Sequence, residues 1–171
     1  MSILKQYNEN IVKYDLINKF NYSSTKKLPQ LKFITLSFKV KNVDFKSLIT
    51  ALSALKLVTF NNGIILKSNV SNVSFKIRKG QPIGCKVTLR KKNMDRFLFF
   101  FINNNLINYK FPKIRTVNLF SLKINNILIF DILEQNYQYF KNVSDLNLDI
   151  TTTQCKLVEF IFLIKSYKLS T

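Results

Sequence analysis

The chain has 171 residues, close to half of them apolar, which is enough to bury a core and too apolar for a permanently unfolded polymer. Its charge is one-sided, with 27 Lys and Arg against 9 Asp and Glu for a formal +18. That excess repels itself in a compact state and calls for a polyanionic partner, nucleic acid first and an anionic membrane surface second. With no histidine, and with Cys85 and Cys155 far apart, a zinc site, a disulfide framework and His-based catalysis all fall away.

No enzyme, metal or cofactor is expected. Asp145 and Asp149 read as strand-end solvation, the two cysteines as small buried thiols, and no GxGxxG, phosphate loop or HExxH occurs. "FLFFFI" (Phe97–Ile102) and "FIFLI" (Phe160–Ile164) are too short to span a membrane. The amino terminus carries Glu9 and Asp15 and lacks a long apolar run, against a secretory signal or transit peptide. Heavy use of Lys, Asn, Ile and Phe suggests an AT-rich genome such as an organelle's.

Taken in order, Ile3, Tyr7, Ile11 and Tyr14 have the spacing of one helical face. Asn21 to Gln30 is a polar turn closed by Pro29. Residues 31–41 alternate, with Ile34, Leu36, Phe38 and Val40 on one side and Thr35, Ser37, Lys39 and Lys41 on the other. Asp44 is placed to cap a helix with Phe45, Leu48, Ile49, Leu52 and Leu55 on its apolar side.

Asn61, Asn62 and Gly63 turn the chain into a short strand, "IILK", and Ser68 to Ser74 reads as a projecting polar loop. "FKIRKGQPIGCKVTLR" (Phe75–Arg90) follows, with a turn at Gly80–Gly84. It continues as a strand, with Cys85, Val87 and Leu89 facing one way and Lys86, Thr88, Arg90 and Lys92 the other. Asn93 is expected to cap a helix bearing Phe97, Leu98, Phe100 and Phe101. Lys110–Arg115 is a basic connector, Ile127–Leu133 a central strand, and Leu146, Leu148 and Ile150 mark a further strand before a last helix over Cys155–Tyr167.

These elements predict an α+β fold: an antiparallel β-sheet with helices packed on one face, the other face open, plus a protruding basic loop. No repeat or linker divides residues 1–171, which read as one domain. Cations with small hydroxyls on an open sheet face can hold a sugar-phosphate backbone. Solvated outer positions explain one such strand as well. Two strands with the same asymmetry, in a chain of this charge, put the two readings on level terms.

The stretch Phe75–Arg90 closely resembles the signature of the large-subunit ribosomal protein L-five family, approximately FKIR-x-G-x-PIGCKVTLR. Phe75–Arg78, Gly80 and Pro82–Arg90 all match it. "FNYSSTKKLPQLKFITL", "FPKIR", "LEQ" and "LDITTT" resemble further family segments, so the likeness runs patchily over nearly the whole chain. It implies a non-enzymatic protein of the central protuberance that binds 5S rRNA, or its replacement, through an open sheet face. Large-subunit rRNA, peptidyl-site tRNA and neighbouring ribosomal proteins, including one in the small-subunit head, are the implied partners.

The family's RNA-facing positions fall on Ser37, Asn61, Phe75 and Thr88, with Ser37 and Asn61 shorter polar substitutes. Read from its neighbours Val73 and Ile77 alone, Phe75 is a core residue, and only the resemblance makes it an RNA contact. Lys39, Lys86 and Arg90 complete the expected rRNA set. Lys76, Arg78, Lys79 and Gly80 belong to a loop that the resemblance sends towards the tRNA elbow, and Lys113 and Arg115 to an intersubunit contact.

The chain departs from the family at Lys91, Asn118 and Leu119 and in the reduced segment Asn125–Asp131, as a divergent organellar member would. The expected place is a mitochondrial ribosome in the matrix, organelle-encoded, with a plastid as runner-up. A peripheral membrane-surface protein and a non-ribosomal RNA-binding module are the alternatives.

Overall fold

The computed structural model describes residues 3–22, 24–39, 45–74, 77–103, 117–167 and 169. Strands β1 (Leu31–Lys39), β2 (Ile64–Lys67), β3 (Pro82–Leu89), β4 (Leu119–Ile124) and β5 (Leu146–Thr152) form one antiparallel sheet in the order β2–β3–β1–β5–β4. Period-two alternation builds one face of it. Ile34, Leu36 and Phe38 of β1, Cys85, Val87 and Leu89 of β3, Phe120, Leu122 and Ile124 of β4, and Leu146, Leu148 and Ile150 of β5 are all 3% exposed or less. Side chains between them are half-buried or exposed, with Gly84 and the strand end Thr152 the two buried positions outside the apolar set.

The chain divides into two compact units, each assembled from separate stretches. The first takes Met1–Ile34, Leu89–Leu122 and Asp149–Thr171. Its helices are α1 (Ile3–Tyr7), continuing through a π-turn at Asn8–Val12 into α2 (Lys13–Phe20), then α4 (Lys91–Asn103) and α7 (Leu157–Ser166). α1 packs on α4 and α2 on α7. The Tyr7 hydroxyl donates to the Ser166 carbonyl at 2.9 Å, and the Tyr7 ring meets Tyr167 edge-on.

The second unit takes Thr35–Thr88 and Lys123–Leu148 and holds α3 (Phe45–Thr59), α5 (Asp131–Glu134) and α6 (Tyr137–Phe140). α3 packs on both short helices. Its Leu52 and Leu55 converge with Val87 of the sheet's apolar side around Gly63. The fold class is α+β, as the alternation predicted.

Several local expectations need correction. The first helical stripe is Leu4, Val12 and Leu16, while Ile3 and Tyr14 stay 66% and 62% exposed. The π-turn takes an extra residue into its turn, so the stripe does not follow a plain 3.6-residue period. α3 buries Leu48, Ala51, Ala54, Leu55 and Val58 and turns Phe45 and Ile49 outwards, because its small alanines form the side of closest approach.

α4 begins at Lys91, so Asn93 lies inside the helix and Lys92 is off the strand. Ile127–Leu133 is no strand: a 3-10 turn at Ile127–Ile129 leads into α5. Buried Ile127, Phe130 and Leu133 recur every third residue, and the Asn126 side chain starts the turn by accepting from the Leu128 N–H at 3.0 Å. The sheet's remaining strand is β4, whose Phe120–Leu122–Ile124 alternation the sequence carries plainly. The expected roles of Val40, Lys41 and Asp44, and of the connector Lys110–Arg115, lie outside the described residues.

Candidate nucleic-acid interface

The face opposite the core is built by the same alternation. In the second unit, β1 presents half-buried Thr35 and Ser37 and exposed Lys39, and β3 presents half-buried Lys86 and exposed Thr88. β1 and β3 come close at one end. A side chain at Gly84 would run into the Phe38 carbonyl oxygen, so only glycine lets the two backbones pass there. The face therefore offers hydroxyls and ammonium groups from two neighbouring strands, which suits donation to phosphate and 2′-hydroxyl oxygens.

β2 borders this face, pairing with β3 so that Ile64 stands opposite Lys86 and Leu66 opposite Gly84. Asn61 lies three residues before Ile64, towards the Thr88 end by register, and is half-buried. Its backbone N–H donates to Thr59 Oγ1 at 3.3 Å, and Thr59 Oγ1 donates to the Leu55 carbonyl at 2.7 Å. The end of α3 is thereby closed and Asn61 is fixed at the sheet border.

Beyond β2 the chain runs out and back as a narrow basic loop. The Ser68 N–H donates to the Gln81 carbonyl at 2.9 Å, and Asn72 and Ile77 exchange N–H···O bonds of 2.8 and 3.0 Å. Gln81 N–H donates to the Arg78 carbonyl at 3.1 Å, while the Arg78 N–H donates to Gln81 Oε1 at 2.9 Å. Gly80 sits at φ +84°, the third position of a type II turn that an L side chain would strain. Arg78, Lys79 and Gly80 are all exposed. Gly80 and Gly84 thus serve separate needs, a left-handed turn and a close strand crossing.

In the first unit Arg90, the residue after β3, is exposed, its guanidinium 5.6 Å from the centre of the Phe33 ring. Phe33 is half-buried and was not among the expected site residues. Extending the β1 alternation back from Thr35 by two would have found it. Asp149 and Thr151 of β5 are half-buried outward positions of the same unit. Phe75, Lys76, Lys113 and Arg115 lie outside the described residues.

The thiols have structural surroundings. Cys85 faces the core, and burial pushes its pKa up to about 11 against an opposing hydrogen bond with the Phe38 backbone. Cys155 is half-buried, and burial also raises its thiol pKa. Its N–H and Sγ approach Asn118 Oδ1 at 3.0 and 3.3 Å and pin the turn before β4. Asp145 pairs with Lys123 at 2.6 Å. Among the described residues no helix is long and apolar enough to cross a membrane.

No family model matches the chain. Curated relatives do match it over most of its length. The large ribosomal subunit protein uL5m of Reclinomonas americana is 36% identical over 166 residues, covering 90% of this chain and 88% of the relative. The uL5 protein of Blochmanniella floridana is 33% identical, covering 98% and 92%. That of Nitrosomonas europaea is 31% identical, covering 98% and 97%. The chain belongs to the uL5 family of large-subunit ribosomal proteins. Its role is that of a structural constituent of the large ribosomal subunit, and the uL5 family is not enzymatic. Ribosomal RNA and ribosomal proteins are the partners such a role implies.

Proposed function

We propose that this uL5 protein holds 5S rRNA, or the RNA that replaces it, against the outward face of its sheet. The observation that carries the reading is the contrast across β1 and β3. Inward, Ile34, Leu36, Phe38, Cys85, Val87 and Leu89 are 2% exposed or less, while Lys39 and Thr88 stand exposed and Ser37 and Lys86 half-buried on the other side. Lys39 and Lys86 supply salt-sensitive attraction to phosphates, and Ser37 and Thr88 supply hydroxyls. Asn61 adds a contact at the border of the face. Ser37 and Asn61 reach a shorter distance than longer amides would, so bridging water suits them. Arg90, in the first unit, is a further cation of the expected rRNA set, and Phe75 joins that set through the resemblance.

The basic loop carries the second part of the reading. Arg78 and Lys79, shaped by Gly80, reach with Lys76 towards peptidyl-site tRNA, and Lys113 and Arg115 contact the small-subunit head. The mitochondrial relative supports a place in a mitochondrial ribosome, in the matrix, and organelle encoding is part of the same proposal.

The test is to isolate the protein with its ribosome, identify the RNA bound to it, and titrate the purified pair with salt. The association constant should fall by about 0.7 to 0.9 log units per log unit of salt for each phosphate neutralised. Binding that ignores salt, or co-purification with lipid vesicles and no RNA, would overturn the reading.

A further inference from the structure

We propose that Phe33 is a positioning residue for Arg90, holding its guanidinium over the sheet so that the N–H fork meets an RNA phosphate in two parallel hydrogen bonds. This rests on the rRNA-binding reading above. Both residues belong to the first unit, at outward positions of β1 and of the residue that follows β3, with the guanidinium carbon 5.6 Å from the ring centre. The ring is half-buried and therefore constrained, whereas the arginine is exposed. An exposed arginine ordinarily samples many rotamers and loses that freedom on binding; a cation–π contact with a fixed ring removes part of the loss beforehand.

The chemistry at the other end is open. Among the described residues no carboxylate forms an ion pair with Arg90 or claims its five donors. The planar fork matches two oxygens of one phosphate. Lysine at position 90 would keep the charge and lose this geometry. Phe33 itself has nothing to offer a phosphate, so its contribution passes through the arginine.

The experiment uses the full chain and a 5S rRNA transcript as probe, with a double-mutant cycle over Phe33→Leu and Arg90→Ala. Phe33→Leu should weaken binding about two- to five-fold, the range of an exposed cation–π contact. Phe33→Tyr, which keeps the ring, should restore it. In the Arg90→Ala background Phe33→Leu should change nothing further. A Phe33→Leu loss that persists without Arg90, or no loss in the parent protein, overturns the proposal.

Failure of the rRNA reading shows itself separately, as Thr88→Ala with Lys86→Ala leaving transcript binding untouched. In that event the NMR order parameter of the Arg90 Nε–H decides the matter without RNA. It should fall in Phe33→Leu and hold in Phe33→Tyr, and an unchanged value in Phe33→Leu contradicts the positioning role.

Discussion

The two sides of β1 and β3 share one backbone and differ in almost everything else. Inward, Ile34, Leu36, Phe38, Cys85, Val87 and Leu89 are 2% exposed or less. Outward, Thr35, Ser37, Lys39, Lys86 and Thr88 are half-buried or exposed. Strand geometry alone separates them, since successive side chains point to opposite faces. The difference assigns burial and exposure to alternate residues, so under the proposed rRNA reading substitutions one position apart should damage different properties.

Leu36→Ala should be the most damaging of these substitutions. Removing a fully buried leucine side chain costs about 2 to 5 kcal/mol, read as a lower denaturant midpoint. Gly84→Ala comes next, because it lies on the outward parity yet is closed off by the Phe38 carbonyl. Forcing a methyl group between two paired strands costs about 1 to 3 kcal/mol in the same measurement. A neutral result at Gly84 would mean that the strand crossing is looser than described.

Inward burial also has a pH signature. The Cys85 thiol, raised from 9.0 to about 11 mainly by desolvation, stays protonated in the folded protein where the unfolded chain ionises. The folded state then binds more protons through that window. Stability is full below about pH 9 and declines as pH rises towards 11. Cys85→Ala should flatten that part of the stability–pH curve, and an unchanged slope would place the thiol in a more polar setting.

Lys91→Gly should have a smaller effect of opposite sign. Lys91 holds φ +50°, a left-handed conformation that costs an L residue about 1 to 2 kcal/mol, partly offset by the extra chain entropy a glycine loses on folding. A gain of a few tenths to about 1 kcal/mol is expected in thermal denaturation. Least of all, Thr88→Ala with Lys86→Ala should leave stability within about 0.5 kcal/mol while weakening rRNA binding and its salt dependence.

β1, β3 and β5 were legible because each has one buried face, so polarity alternates along residues 34–39, 85–89 and 146–151. The loop's turn was legible through Gly80, but it closes at Gln81, and residues 82–84, expected in the turn, already belong to β3. Where the pattern failed, tertiary context was stronger than local period. Ile127–Leu133 is apolar almost throughout, and such a run does not distinguish a strand from a turn of helix. Its three-residue recurrence, Ile127, Phe130 and Leu133, was the available clue.

The face of α1 and α2 could not be deduced because a π-turn breaks the helical period, and nothing in Asn8–Val12 announces it. β4 was missed although Phe120, Ser121, Leu122, Lys123 and Ile124 alternate cleanly. Of the site, Ser37, Lys39, Lys86 and Thr88 were read from alternation. Phe33 was not, because an aromatic at an outward position looks like a core residue until its neighbour Arg90 is seen above it.

The most direct measurement places a photoreactive side chain at position 88, on the outward face, and another at position 49, on the solvent side of α3 in the same unit. Each protein is assembled into ribosomes and irradiated, and the cross-linked RNA is sequenced. Cross-links to 5S rRNA or its replacement from position 88, and none to that RNA from position 49, are the predicted result. RNA captured from position 49 while position 88 yields only protein would contradict a bare sheet face as the binding surface.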